Sequence, residues 1–145
     1  MTEAFFKKID EPKIVEAIPL AESKSRGEIR VHVADAAVDD VMKAATEAFE
    51  KLGMTATHER NGVLIFLAPS SQKFAVLGDL GITSKVGVEA WAGAASLLGA
   101  AFRDGRFTEG LVAAVEGAGV LLSEHFPRDL PSPDVDELKN EISRG

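Results

Sequence analysis

The chain has 145 residues, enough for one domain with one core; 46% are hydrophobic and 27% charged, a globular rather than a disordered balance. The absence of Cys excludes disulfides, thiolate nucleophiles and Cys-based zinc sites. Sixteen basic against 23 acidic residues give a net charge of −7 with no Lys/Arg run, which argues against nucleic acid as a partner and suits divalent cations better.

Residues 1–13 include Lys7 and Lys8 but no following apolar stretch or small-residue cleavage site, so they do not read as a secretory signal. The longest weakly polar run, residues 90–102, stops at Arg103, short of the roughly 20 apolar residues that cross a bilayer. A cytoplasmic protein without membrane insertion is the expectation. Asp10 is a good helix N-cap and Pro12 fits a first turn. Ile14, Ala17, Ile18 and Ala21 then recur at helical spacing up to Gly27, with a kink expected at Pro19.

Residues 28–34 alternate, Ile29, Val31 and Val33 against Arg30 and His32, the pattern of a strand with one buried face. A helical stripe follows over residues 35–52, closed by Gly53. Arg60-Asn61-Gly62 signals a turn, and residues 63–68 are a continuous apolar run, predicting a central strand covered on both faces. A helix between the first two strands implies a parallel, right-handed crossover. The four residues 69–72 are too few for a helix, so the strand over residues 73–77 is expected antiparallel. Two helices, about residues 88–102 and 108–125, meet at Asp104-Gly105, and Trp91 sits at helical spacing with Ala95 and Leu98, a core position. The expected organisation is one three-layer α/β domain over residues 1–127. A Pro-rich linker and a short amphipathic helix bearing Val135, Leu138 and Ile142 follow over residues 128–145.

The ordered set Ala21-Glu22, Gly27-Glu28-Ile29-Arg30, Gly62-Val63-Leu64, Gly78-Asp79-Leu80-Gly81-Ile82, Trp91, Phe102…Gly105…Phe107…Gly110-Leu111 and Phe126-Pro127 resembles the TPM domain family over roughly residues 10–127. That family includes a thylakoid-lumen photosystem II repair protein, acetylcholine-receptor modulators and many short bacterial proteins. The resemblance implies an α/β/α sandwich on a short mixed sheet. For function it implies a calcium-type ion site, acid phosphatase activity, or a part in maintaining membrane complexes. One departure is Arg60, where many relatives carry an acid.

The topology gathers Glu28, Asn61 and Asp79 at one edge of the sheet, with Glu22 near them at the end of the preceding helix. Four oxygen-bearing side chains suit a hard cation, calcium or magnesium, with backbone carbonyls and water completing the shell. The plainer alternative makes these solvated charges or caps, with Glu28 paired to Arg30, Arg60 or Lys85. For phosphoryl chemistry Asp79 is the candidate base or ligand and Arg30 or Arg60 the phosphate clamp, without a Cys nucleophile or a phosphate-cradling loop. His32, His58 and His125 have no ligand spacing and read as structural or surface residues, and Ser70-Ser71 reads as turn chemistry. Three functions therefore stay open: a non-catalytic, divalent-ion-binding accessory module, a metal-assisted phosphomonoesterase, and a ligand-free structural or oligomerising domain. Its partner would be another protein or a second copy, engaged through the C-terminal tail.

Overall fold

The computed structural model describes residues 2–128 and 142–145. Its centre is the pair of apolar runs: β1 (Glu28–Val33) lies parallel to β2 (Gly62–Ala68), in register from Glu28↔Gly62 to Val33↔Leu67. After a 3₁₀ turn at Pro69–Ser71, β3 (Lys73–Gly78) returns antiparallel to β2. β4 (Ser143–Arg144) runs parallel along the other side of β1, and the strand order is β3-β2-β1-β4.

The described helices are α1 (Thr2–Phe6), α2 (Glu11–Glu22), α3 (Val41–Lys51), α4 (Leu80–Val86), α5 (Val88–Arg103) and α6 (Phe107–His125). Ile14 and Ile18 of α2, Trp91 and Leu98 of α5, and Leu111, Val115 and Leu122 of α6 bury one face of the sheet through Ile29, Val31, Val63 and Ile65. Ala45, Ala48 and Phe49 of α3, with Met54, bury the other face through Leu64, Phe66 and Ala75. This is a three-layer α/β/α sandwich on a mixed sheet. Every residue of β2 is buried, and truncating one of its large side chains to Ala would cost about 2–5 kcal/mol.

Several elements differ from the sequence reading. β1 is buried on both faces rather than one, because β2 and β4 flank it and its polar face is covered too: His32 stacks on Phe66 with ring centroids 5.7 Å apart. Helix α2 runs past Pro19 and ends at Glu22, not at Gly27; Pro19 falls in its last turn and leaves the Val15 carbonyl without its helical donor, a loss confined to the helix end. Residues 35–40 are not helical. The Asp40 side chain accepts from Lys43 N at 3.1 Å and starts α3 there, while Ser71 Oγ accepts from Val38 N and Lys73 Nζ donates to the Asp39 carbonyl. The expected tail helix falls on residues 129–141, outside the described residues, apart from Ile142.

Ile142 is buried in the larger core, and the strand after it is latched at several points. Gly145 N donates to Val33 O at 3.0 Å and Ser143 Oγ donates to Val31 O at 3.2 Å. His32 Nδ1 lies 2.8 Å from Ser143 Oγ. The Arg144 guanidinium stands 3.6 Å from the centre of the Phe6 ring, tying α1 to the same end of the sheet.

Burial lowers the pKa of His32 below 6.5; nearby Arg30 adds to the shift, while the Gly145 backbone and Asp35 oppose it. The folded chain therefore binds fewer protons here than the unfolded chain, and stability rises with pH across this window. The contribution is complete above pH 6.5 and is lost as pH falls from there through the lowered folded-state value. Urea unfolding at pH 7.5 and 5.5 checks this: wild type should lose midpoint at the lower pH, and His32→Phe should lose less.

Candidate functional site

The amino-terminal ends of β1 and β2 carry the densest set of buried polar side chains. Glu22, Ser25, Glu28, Thr57, Asn61 and Asp79 are each at most 5% exposed. Each is positioned by its element. Glu22 ends α2, and its Oε2 accepts the Ile29 N–H at 2.7 Å, coupling the helix end to β1. Glu28 opens β1 opposite Gly62. Asn61 precedes β2, donates from Nδ2 to the Arg26 carbonyl at 3.2 Å, and is held by its own N–H on Thr57 Oγ1. Its Oδ1 is buried and has no hydrogen-bond partner among the described residues.

Asp79 follows β3, and its N–H donates to the Gly62 carbonyl at 2.9 Å, which fixes it beside Asn61. Its carboxylate is clamped by Arg60, Nε to Oδ2 and Nη2 to Oδ1, both at 2.7 Å. Asp79 Oδ1 also accepts from Leu80 N and caps α4. The clamp depends on Arg60 holding a left-handed backbone, φ 53°, and on Gly81 donating to the Arg60 carbonyl at 2.8 Å. A Cβ on Gly81 would collide with the Glu59 carbonyl and stand 2.6 Å from that of Arg60. On the other side Trp91 lies over Gly78 and donates from Nε1 to Thr83 Oγ1 at 2.9 Å.

A second ion pair closes the rim. Arg26 Nε and Nη2 donate to Glu59 at 2.8 and 3.1 Å, and its Nη1 donates to the Pro127 carbonyl. The hydrogen bond from Arg26 holds the Glu59 carboxyl below the usual range, and the one that Arg60 donates to Asp79 raises the Arg60 guanidinium further. Arg30 lies two residues along β1 on the same face as Glu28, is 8% exposed, and its Nε has no hydrogen-bond partner among the described residues. Among the described residues no three His, Asp or Glu side chains are grouped as a ligand set. A cation here would have to draw on the Asn61 amide, backbone carbonyls and water as well as carboxylates, and would take Asp79 only if Arg60 released it.

The sequence profile of the TPM domain (TPM_phosphatase) matches residues 2–120. The chain belongs to the TPM domain family. It is similar to the BA42 protein of the psychrophilic bacterium Bizionia argentinensis, known from an NMR structure: identity is 39%, coverage 93% of this chain and 92% of that one, and the TM-score 0.83. The N-terminal domain of cg2496 from Corynebacterium glutamicum shares the fold, with a TM-score of 0.59 at 17% identity over 87% of this chain and 77% of that one. No curated protein matches the chain.

Within this TPM domain all four residues singled out from the sequence as oxygen ligands, Glu22, Glu28, Asn61 and Asp79, lie at one end of the sheet. Of the phosphate-clamp candidates, Arg60 is committed to Asp79, while Arg30 stays apart from that pair. Lys85, a suggested partner of Glu28, instead sits 5.6 Å from the Phe126 ring centre. Sequence reasoning missed Ser25, Thr57 and the Arg26–Glu59 pair; the two ends of that pair are 33 positions apart and carry no local signal. No helix among the described residues is long and apolar enough to cross a membrane.

Gly81→Ala should therefore act on the rim as well as on stability. Its added methyl meets backbone, not a flexible side chain, and overpacking of this kind costs about 1–3 kcal/mol. Urea unfolding should register that loss, and the Arg60 Nε–H resonance should move as the clamp on Asp79 loosens.

Proposed function

We propose that this TPM domain is a non-catalytic, divalent-cation-binding accessory module whose site is the rim formed by Asn61, Glu28 and Glu22, with Asp79 as a further ligand when Arg60 swings away. The observation that carries the reading is Asn61 Oδ1, an amide oxygen buried without a hydrogen-bond partner among the described residues and set at the strand end where the carboxylates of Glu22, Glu28 and Asp79 are also buried. An amide oxygen held this way is costly unless a hydrogen-bond donor or a cation meets it. Calcium suits the rim better than magnesium, because it accepts six to eight oxygens in flexible geometry, including amide and backbone carbonyls. The ties that Asp79 makes to Arg60 and Leu80 support an accessory role: both carboxylate oxygens are in use, so it is not poised as a general base.

One observation favours a second reading, a metal-assisted phosphomonoesterase. The Arg30 Nε–H is a buried donor without a partner among the described residues, on the Glu28 face of β1, and could serve a phosphoryl oxygen. That reading requires metal-dependent turnover of a simple aryl phosphate, lost in Asp79→Asn.

Thermal unfolding of chelator-stripped protein with added calcium or magnesium tests the proposal. At a concentration one hundred times its Kd, calcium should add about 2.7 kcal/mol, raising Tm by about 5–10 °C. Glu28→Gln, which keeps shape and removes charge, should fold normally and bind calcium about tenfold more weakly or worse. No shift with either ion at millimolar concentration would leave a ligand-free interaction domain.

A further inference from the structure

The opposite end of the sheet, where β1 and β2 finish, carries a cleft chemically different from the rim. It lies about 17 Å from the cation rim, five strand residues at about 3.3 Å each. Its walls come from α1, from the turn between β2 and β3, and from α5 and the start of α6. Five of the eight phenylalanines collect here: Phe5, Phe102 and Phe107 contact one another at centroid separations of 5.0–6.1 Å, and Phe6 and Phe74 pack at 6.0 and 5.3 Å onto Phe5 and Phe102. The cleft they leave holds about 920 Å³, within the range of small-molecule sites.

The charge of its lining is the reverse of the chain's. Acidic residues outnumber basic ones 23 to 16 overall, yet the cleft is lined by Lys8, Lys73 and Arg103 and, among the described residues, by no Asp or Glu. Arg103 has no ion-pair partner among the described residues, and its Nη1 lies 3.6 Å from where a Cβ on Gly99 would stand, so the guanidinium bends over the cleft. Lys8 Nζ stands 5.8 Å from the Phe107 ring centre. Lys73, on the strand face opposite Phe74, turns its ammonium to the Asp39 carbonyl at 2.7 Å and leaves the cleft's cations as Lys8 and Arg103. Two cations beside edge-to-face rings match an anionic head on a flat body: the carboxylate pairs with Arg103 and Lys8 while the ring enters the phenylalanine cluster. In open α/β sheets the carboxyl ends of parallel strands are also where ligands ordinarily sit.

We infer that this cleft is a binding site for a small aromatic carboxylate, independent of the cation rim. The test uses 2-naphthoate and its uncharged amide, 2-naphthamide, titrated into the isotope-labelled full chain and followed by amide resonances. Naphthoate should cause saturable shifts confined to residues 4–8, 67–74 and 99–107, with the amide binding at least about tenfold more weakly. Arg103→Gln combined with Lys8→Gln changes exposed side chains only, so the variant should keep the wild-type spectrum elsewhere while naphthoate binding falls to the level of the amide. Equal binding of the two probes overturns the inference. So does the absence of saturable shifts at millimolar probe, or shifts centred on the apolar α5–α6 groove at residues 93–97 and 113–121.

Discussion

Because two parallel strands cannot be joined by a hairpin, the pairing of β1 with β2 forces the chain out along α3 and back across the sheet. That one pairing brings residue 28 beside residue 62 and sets both amino ends at the same edge. The short turn after β2 then sends β3 back, so that Asp79 arrives at the edge from which β2 began. Helix α2 is drawn to the same place by the Glu22 carboxylate on Ile29 N. The rim of oxygens therefore follows from topology; no long loop is needed to assemble it.

Concentrating carboxylates and an amide at a buried edge is expensive, and the molecule offsets the expense in two ways. Asp79 is neutralised by a bidentate Arg60, and the half-buried Glu59 is matched by Arg26. The Arg60–Asp79 pair has one nearly buried partner and one half-exposed one, with side-chain exposures of 4% and 42%, so it is neither a weak surface contact nor a fully desolvated pair. Arg60 thus makes this rim more self-contained than an all-acidic one, because its guanidinium already occupies Asp79. At the far end of the sheet the balance is reversed: basic side chains stand beside an aromatic cluster, and no Asp or Glu among the described residues lines the cleft.

Much of the architecture was legible in the sequence. The uninterrupted run at residues 63–68 could only be a strand covered on both faces, and the spacing of helix and turn gave parallel then antiparallel pairing. What escaped has physical causes. β4 has two residues and pairs with a strand 111 positions away, so it has no periodicity to detect. Helix α1 is five residues long and is held by Arg144 and the phenylalanine cluster, contacts that exist only after folding. Asp35 and Asp40 are both credible caps, and only the tie of residues 38 and 39 to the β2–β3 turn decides for Asp40. At the rim, composition and topology indicated which oxygens converge. The Arg60–Asp79 clamp could not be read, because it rests on a left-handed backbone at a residue that is not glycine.

The central claim is that the buried amide oxygen of Asn61 is part of a cation site. The most direct measurement follows the side-chain carbonyl carbons of Asn61 and Glu28 by NMR while calcium is added to chelator-stripped protein. Saturable movement of both resonances with a common dissociation constant is the expected result. Movement of surface carboxylates with Asn61 unchanged would contradict the account and leave the rim a structural device.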